Sequence, residues 1–143
     1  MQTLIDLLHA EGRSCVIRNG TETRTFHQRG VADLYDLYTA DPTFMAGAEI
    51  ADKVVGKGAA ALMRLGGIRA VYADVISEPA ADLLTAGGIS VTFGQKVPHI
   101  VNRRGDGRCP LETACGEWPF EALWPVIQNF VKTQRAAEVA SRL

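Results

Sequence analysis

Two stretches of the chain hold residue types that move protons or form covalent bonds. In the first, Asn102-Arg103-Arg104-Gly105-Asp106-Gly107-Arg108-Cys109-Pro110-Leu111-Glu112, a thiol is followed by proline and, three positions on, by a carboxylate. Cys109, Pro110 and Glu112 stand at the spacing of the N-cap, first and third positions of a short helix. A thiol at a helix N-terminus with arginines close in sequence has its thiolate favoured. Cys109 is therefore a candidate nucleophile or covalent anchor, with Glu112 as acid–base partner. A buried cysteine at an ordinary helix start is the plainer alternative. In the second stretch, Asp52, Lys53 and Lys57 belong to what the apolar spacing reads as a helix over 48–65. There Lys53 or Lys57 would neutralise negative charge and Asp52 or Glu112 would move protons. A solvated basic stripe of Lys53, Lys57 and Arg64 is the alternative. The catalytic reading expects the 102–112 loop to fold over the helix start and bring Cys109 close to Asp52 or Lys53. Further ligand contacts are expected from Glu49, Lys57, Asp106 and Asp33.

Gly56-Lys57-Gly58 invites comparison with a phosphate-binding loop, which needs Gly, four residues, then Gly-Lys-Ser/Thr between a strand and a helix. Position 51 is Ala51, position 58 is Gly58, and the periodicity puts Lys57 in a helix interior, so the motif is rejected. A metal centre finds little support: Cys109 and Cys115 are six apart, and His9, His27 and His99 fall in different elements.

The elements that must position these residues alternate. Apolar spacing predicts a helix over 3–10, a strand over 14–18, a hairpin turn at Asn19-Gly20 and a partner strand over 21–28. Helices follow over about 31–41 and over 48–65, the latter stopped by Gly66-Gly67. A nearly unbroken apolar run over 68–76 reads as a central strand. Ser77 and Pro79 mark the start of a helix reaching residue 86, and a strand follows over 89–93. Residues 97–115 read as irregular, and 119–143 as helical, broken or restarted at Pro125. A hairpin followed by crossovers makes a mixed sheet with helices on both faces, a three-layer α/β/α sandwich.

Composition narrows the function class. At 143 residues one domain is expected. Apolar residues at 47% and charged residues at 22% are the proportions of a globular core, not of a disordered chain. A net charge of −1 and an arginine cluster without interleaved aromatics argue against nucleic acid. No apolar run approaches a membrane span, and Met1-Gln2-Thr3-Leu4-Ile5-Asp6 lacks the basic start of a signal peptide. Three unpatterned cysteines fit a reducing cytoplasm. The aromatics Trp118, Phe120, Trp124 and Phe130 either pack a terminal helix on its own sheet or form a subunit interface.

The strings Gly47-Ala48-Glu49-Ile50-Ala51-Asp52-Lys53-Val54-Val55-Gly56-Lys57-Gly58-Ala59-Ala60-Ala61-Leu62-Met63, Val75-Ile76-Ser77 and Gly105-Asp106-Gly107-Arg108-Cys109-Pro110-Leu111-Glu112 resemble a bacterial family catalogued as a domain of unknown function. Ser14-Cys15-Val16-Ile17 and Asp33-Leu34-Tyr35 fit the same pattern over about residues 3–115. The resemblance implies a cytidine-deaminase-like fold. Zinc deaminases carry His/Cys-x-Glu at one helix start and Pro-Cys-x-x-Cys at the next. Gly47-Ala48-Glu49 and Ser77-Glu78-Pro79-Ala80 lack those ligands. The expectation is therefore a cytoplasmic, zinc-independent protein with no cofactor, taking a small anionic or nucleotide-like metabolite near helix N-termini. The alternative is a non-catalytic regulatory or homo-oligomeric module.

Overall fold

The computed structural model describes residues 1–10, 12–28, 31–101, 105 and 107–141. Helix α1 (Gln2–Ala10) leads into a hairpin of β1 (Cys15–Asn19) and β2 (Glu22–Phe26). Asn19 pairs with Glu22, so the two-residue turn is Gly20-Thr21, one position beyond the expected Asn19-Gly20. Gly20 supplies the positive φ of 61° that such a turn requires. Asn19 instead donates from its side chain to the Phe44 and Ala46 carbonyls at 2.8 and 3.1 Å, tying the hairpin to the segment that precedes the next strand.

Helices α2 (Ala32–Ala40) and α3 (Pro42–Met45) come next, followed by β3 (Glu49–Val55) and α4 (Lys57–Gly66). This corrects the single helix expected over 48–65. Ile50, Ala51 and Val55 are fully buried, and a strand covered on both faces is apolar almost throughout, so its pattern can also satisfy a helical period. Gly56 is extended and caps α4. Lys57 is therefore the first helical residue rather than an interior one, and Glu49 opens a strand rather than a helix.

The chain continues as β4 (Ala70–Ser77), α5 (Glu78–Ala86) and β5 (Ser90–Val97). Ser77 caps α5 as expected, its hydroxyl oxygen accepting from the Ala80 N–H at 3.3 Å. Helix α6 (Pro110–Cys115), a 3-10 turn (Phe120–Ala122) and α7 (Leu123–Ser141) complete the chain. Pro125 does not break α7. It is the third helical residue, where the missing N–H has no intrahelical partner to lose.

The strands form one mixed sheet in the order β2-β1-β3-β4-β5, with β1 antiparallel to both neighbours and β3, β4 and β5 parallel. Along β1 and β3 the side chains alternate between two clusters. Val16 and Ala51 meet Leu4 and Leu8 of α1. Ile17 and Ile50 belong to the main core, built with α2 to α7. Burying the dozen largest core side chains, among them Met45, Leu62, Met63, Ile76 and Ile127, contributes roughly 1.5–3 kcal/mol each. No helix among the described residues is long and apolar enough to cross a membrane.

Candidate functional site

The chain leaves β1 towards β2 on one side of the sheet, and β3 lies on the other. β1 and β3 pair antiparallel at the point where the order of strands in the sheet departs from their order in the chain. Cys15, the first residue of β1, stands opposite Asp52, the middle residue of β3, at the last rung of the β1–β3 ladder. Both face the main core: Cys15 is 4% and Asp52 9% exposed. Burial raises the Asp52 carboxyl to about 7. The Val54 and Lys53 N–H groups pull it down, the former through a long 3.4 Å bond, while Asp33 and Asp74 push it up. Burial also lifts the Cys15 thiol well above its usual range, and the Asp52 and Asp33 charges add to that. Asp33, in the first turn of α2, accepts from the Gln28 backbone N–H at 2.9 Å and from the Gln28 side chain at 2.7 Å. Asp33 is thus near enough for its charge to act on both Asp52 and Cys15. A carboxyl near pH 7 in a dry site is poised both to donate and to accept a proton.

A second cluster joins α6 to the start of α4. The Glu112 carboxylate accepts from the Lys57 N–H at 2.8 Å and from the Ile100 N–H at 3.0 Å. The Lys57 ammonium donates to the Gly116 carbonyl at 2.9 Å. Leu111 lies against Gly58 so closely that a Cβ there would come within 2.4 Å of it. Glu112 does not complete a capping box with Cys109; both its oxygens serve backbone groups of other segments. Its carboxylate occupies the N-terminus of α4, the kind of position that favours an anion. Cys109 is half-buried at the N-cap of α6 without a side-chain capping bond. Cys115 is buried, which lifts its thiol to about 11; Lys57 opposes the shift, and Glu112 and Cys109 add to it.

The 109–112 segment therefore meets Lys57 and Gly58, the actual start of the helix. Among the described residues no hydrogen bond or ion pair joins Cys109 to Asp52 or Lys53. Lys53 is half-buried in β3, with its backbone N–H on the Ser14 carbonyl at 3.1 Å. Glu49 lies at the other end of β3, paired with Arg18 at 3.2 Å and Arg69 at 3.0 Å. Burial works against its charge, but those guanidiniums hold it below the usual range. It is separated from Asp52 by two strand positions, and its side chain is committed to this ion-pair cluster. Asp106 lies outside the described residues.

Cys15 was read from sequence only as a strand residue. Its partnership with Asp52 depends on strand register, which local spacing does not reveal. A third polar group was also not foreseen: Asp74 accepts from the Tyr72 hydroxyl and contacts His9 Nε2, each at 2.7 Å. Of the C-terminal aromatics, Trp124 stacks on Tyr35 at 5.7 Å and meets Tyr38 edge-on at 5.1 Å, while Phe120 lies beneath Arg64 at 4.0 Å. These two pack their own domain; Trp118 remains 57% exposed. Among the described residues no three His, Cys, Asp or Glu side chains come together as metal ligands.

The molecule is thus a mixed five-stranded α/β protein with a buried carboxyl and thiol where its strand order reverses. Residues 3–131 match the TM1506 family, described as a domain of unknown function (DUF1893), and the chain belongs to that family. A crystal structure of a DUF1893 family protein (TM1506) from Thermotoga maritima is similar in fold. Its TM-score is 0.81 at 22% identity, covering 92% of this chain and 88% of that one. No curated protein matches the chain.

Proposed function

We propose that the protein binds, and is built to exchange a proton with, a small nucleotide-like metabolite whose heterocyclic edge meets Asp52 at the end of the β1–β3 ladder. The observation that carries this reading is the Asp52 carboxyl, buried at the strand-order reversal and raised to about 7. A protonated carboxyl offers a donor and an acceptor side by side. That pair complements the adjacent N–H and carbonyl, or N–H and ring nitrogen, of a nucleobase. Asp33 and Asp74 make the surroundings of Asp52 acidic, which favours a neutral or N–H-rich group there over an anion.

The α-β-β-α-α-β-α-β-α-β order, with α1 on one sheet face and the remaining helices on the other, supports a three-layer, cytidine-deaminase-like fold. With α4 starting at Lys57, the comparison with the zinc motif moves to Val55-Gly56-Lys57-Gly58 and Ser77-Glu78-Pro79-Ala80. Neither start carries a His or Cys, so these residues do not fit a zinc centre. The chemistry is carried by Asp52, with Cys15 and Asp33 setting its environment.

Isothermal titration calorimetry with free adenine, cytosine, guanine and uracil and their nucleosides tests the reading. At least one is expected to bind the parent and to lose about tenfold or more in affinity to Asp52→Asn. Binding by none of them, or equal binding by a folded Asp52→Asn variant, would overturn it.

A further inference from the structure

The two edges of the sheet are treated differently by the sequence. Edge strand β2 is five residues long and carries Glu22 and Arg24, with Arg24 bonded to Glu22 and Asp41 at 2.6 and 3.0 Å. Short length and charge are the usual protection of an edge against further pairing. Edge strand β5 is less protected. It is eight residues long, has no proline, and carries Lys96 as its one charge. Most of it is exposed, including Phe93 at 43%. Among the described residues nothing pairs with its outer side.

We propose that β5 is where two copies of this chain join, antiparallel, around a twofold axis normal to the sheet, making one continuous ten-stranded sheet. Such an axis keeps each side chain on its own sheet face, so a residue can stand opposite itself. Phe93 opposite Phe93 places Thr92 opposite Gly94 and brings Lys96 near Ser90. No like charges are opposed, and the exposed phenyl rings gain an aromatic cross-strand partner. Gly94 has no side chain to obstruct the approach. A Cβ there would meet the Asp74 carbonyl at 2.9 Å within the chain's own sheet. A second copy is the occupant because every copy presents the same strand, which in this register opposes Phe93 to itself and Lys96 to uncharged Ser90, and an isologous pairing of this kind closes after two.

Sedimentation equilibrium of the full chain tests this. The parent is expected at twice its 15.4 kDa, and Phe93→Lys, which sets two ammonium groups face to face, at the single mass with unchanged circular dichroism. Should Phe93→Lys fail to fold, Phe93→Cys decides. Mild oxidation is expected to link it into a covalent dimer, which the parent, with its native cysteines off this edge, does not form. A parent at the single mass, a folded Phe93→Lys at double mass, or a Phe93→Cys that does not cross-link would overturn the proposal.

Discussion

Cys15 and Asp52 face one another across β1 and β3, an acid and a thiol buried together at the one place in the sheet where strand order reverses. Burial raises both, and the Asp52 charge raises the thiol further, so below about pH 7 both groups are predominantly neutral. An unpaired acid this deep in a core is a stability liability, and its consequence for pH dependence has a definite sign.

Because the folded carboxyl titrates at about 7 rather than 3.8, the native state keeps a proton that the unfolded chain has already released. Between those two values the native state binds more protons, so stability falls as pH rises, by up to about 4 kcal/mol from this group. Above pH 7 the loss is complete and the contribution flat. Asp52→Asn is expected to remove this slope and to be more stable than the parent above pH 7. Urea denaturation at pH 5 and pH 8 measures it; a parent–variant difference independent of pH would contradict the assignment.

Glu112 reaches back 55 positions to the Lys57 N–H and 12 positions to the Ile100 N–H. Glu112→Ala is expected to cost about 2–3 kcal/mol, since two charge-assisted bonds are lost in a half-buried place. Glu112→Gln retains one acceptor and is expected to lose about half as much. Thermal denaturation of both variants gives the comparison. Equal, small losses would show that the clasp contributes little.

Most of the architecture is legible in the residues. The Ser77 cap, the Pro79 helix start and the apolar run of β4 all follow from local chemistry. β3 is not legible in this way. Burial on both faces at Ile50 and Ala51, together with an exposed apolar Val54 beside buried Val55, leaves it without the alternation that marks a strand, and the glycines at 56 and 58 read as interruptions of a helix rather than as its beginning. Misplacing that boundary moved Glu49 to a helix start and Lys57 to a helix interior. Asp52 and Asp33 were recognisable as candidates by residue type, and Glu112 by its spacing from Pro110. Their partners were not, because Cys15 reaches Asp52 only through strand register and Lys57 reaches Glu112 only through the docking of α6.

That docking depends on a missing side chain. A Cβ on Gly58 would lie 2.4 Å from the Leu111 side chain, so Gly58→Ala is expected to cost about 1–3 kcal/mol despite the better helix propensity of alanine. In a Leu111→Ala background the same change is expected to be neutral or stabilising. A double-mutant cycle by urea denaturation reads the coupling, and additive effects would contradict direct contact.

The three thiols differ in access. Cys15 and Cys115 are buried and shifted upward, while Cys109 is half-buried at the start of α6. Iodoacetamide on the native protein at pH 8 is expected to modify Cys109 first, with the other two reacting only on unfolding. Peptide mass spectrometry follows the order, and early labelling of Cys15 would show that the end of the β1–β3 ladder is open.

The most direct measurement is an NMR titration of the Asp52 side-chain carboxyl carbon, with and without the nucleobase that binds most tightly. The midpoint is expected near pH 7 in the free protein, and saturating base is expected to displace it. A midpoint near pH 4, or one near 7 that no base moves, would contradict the account.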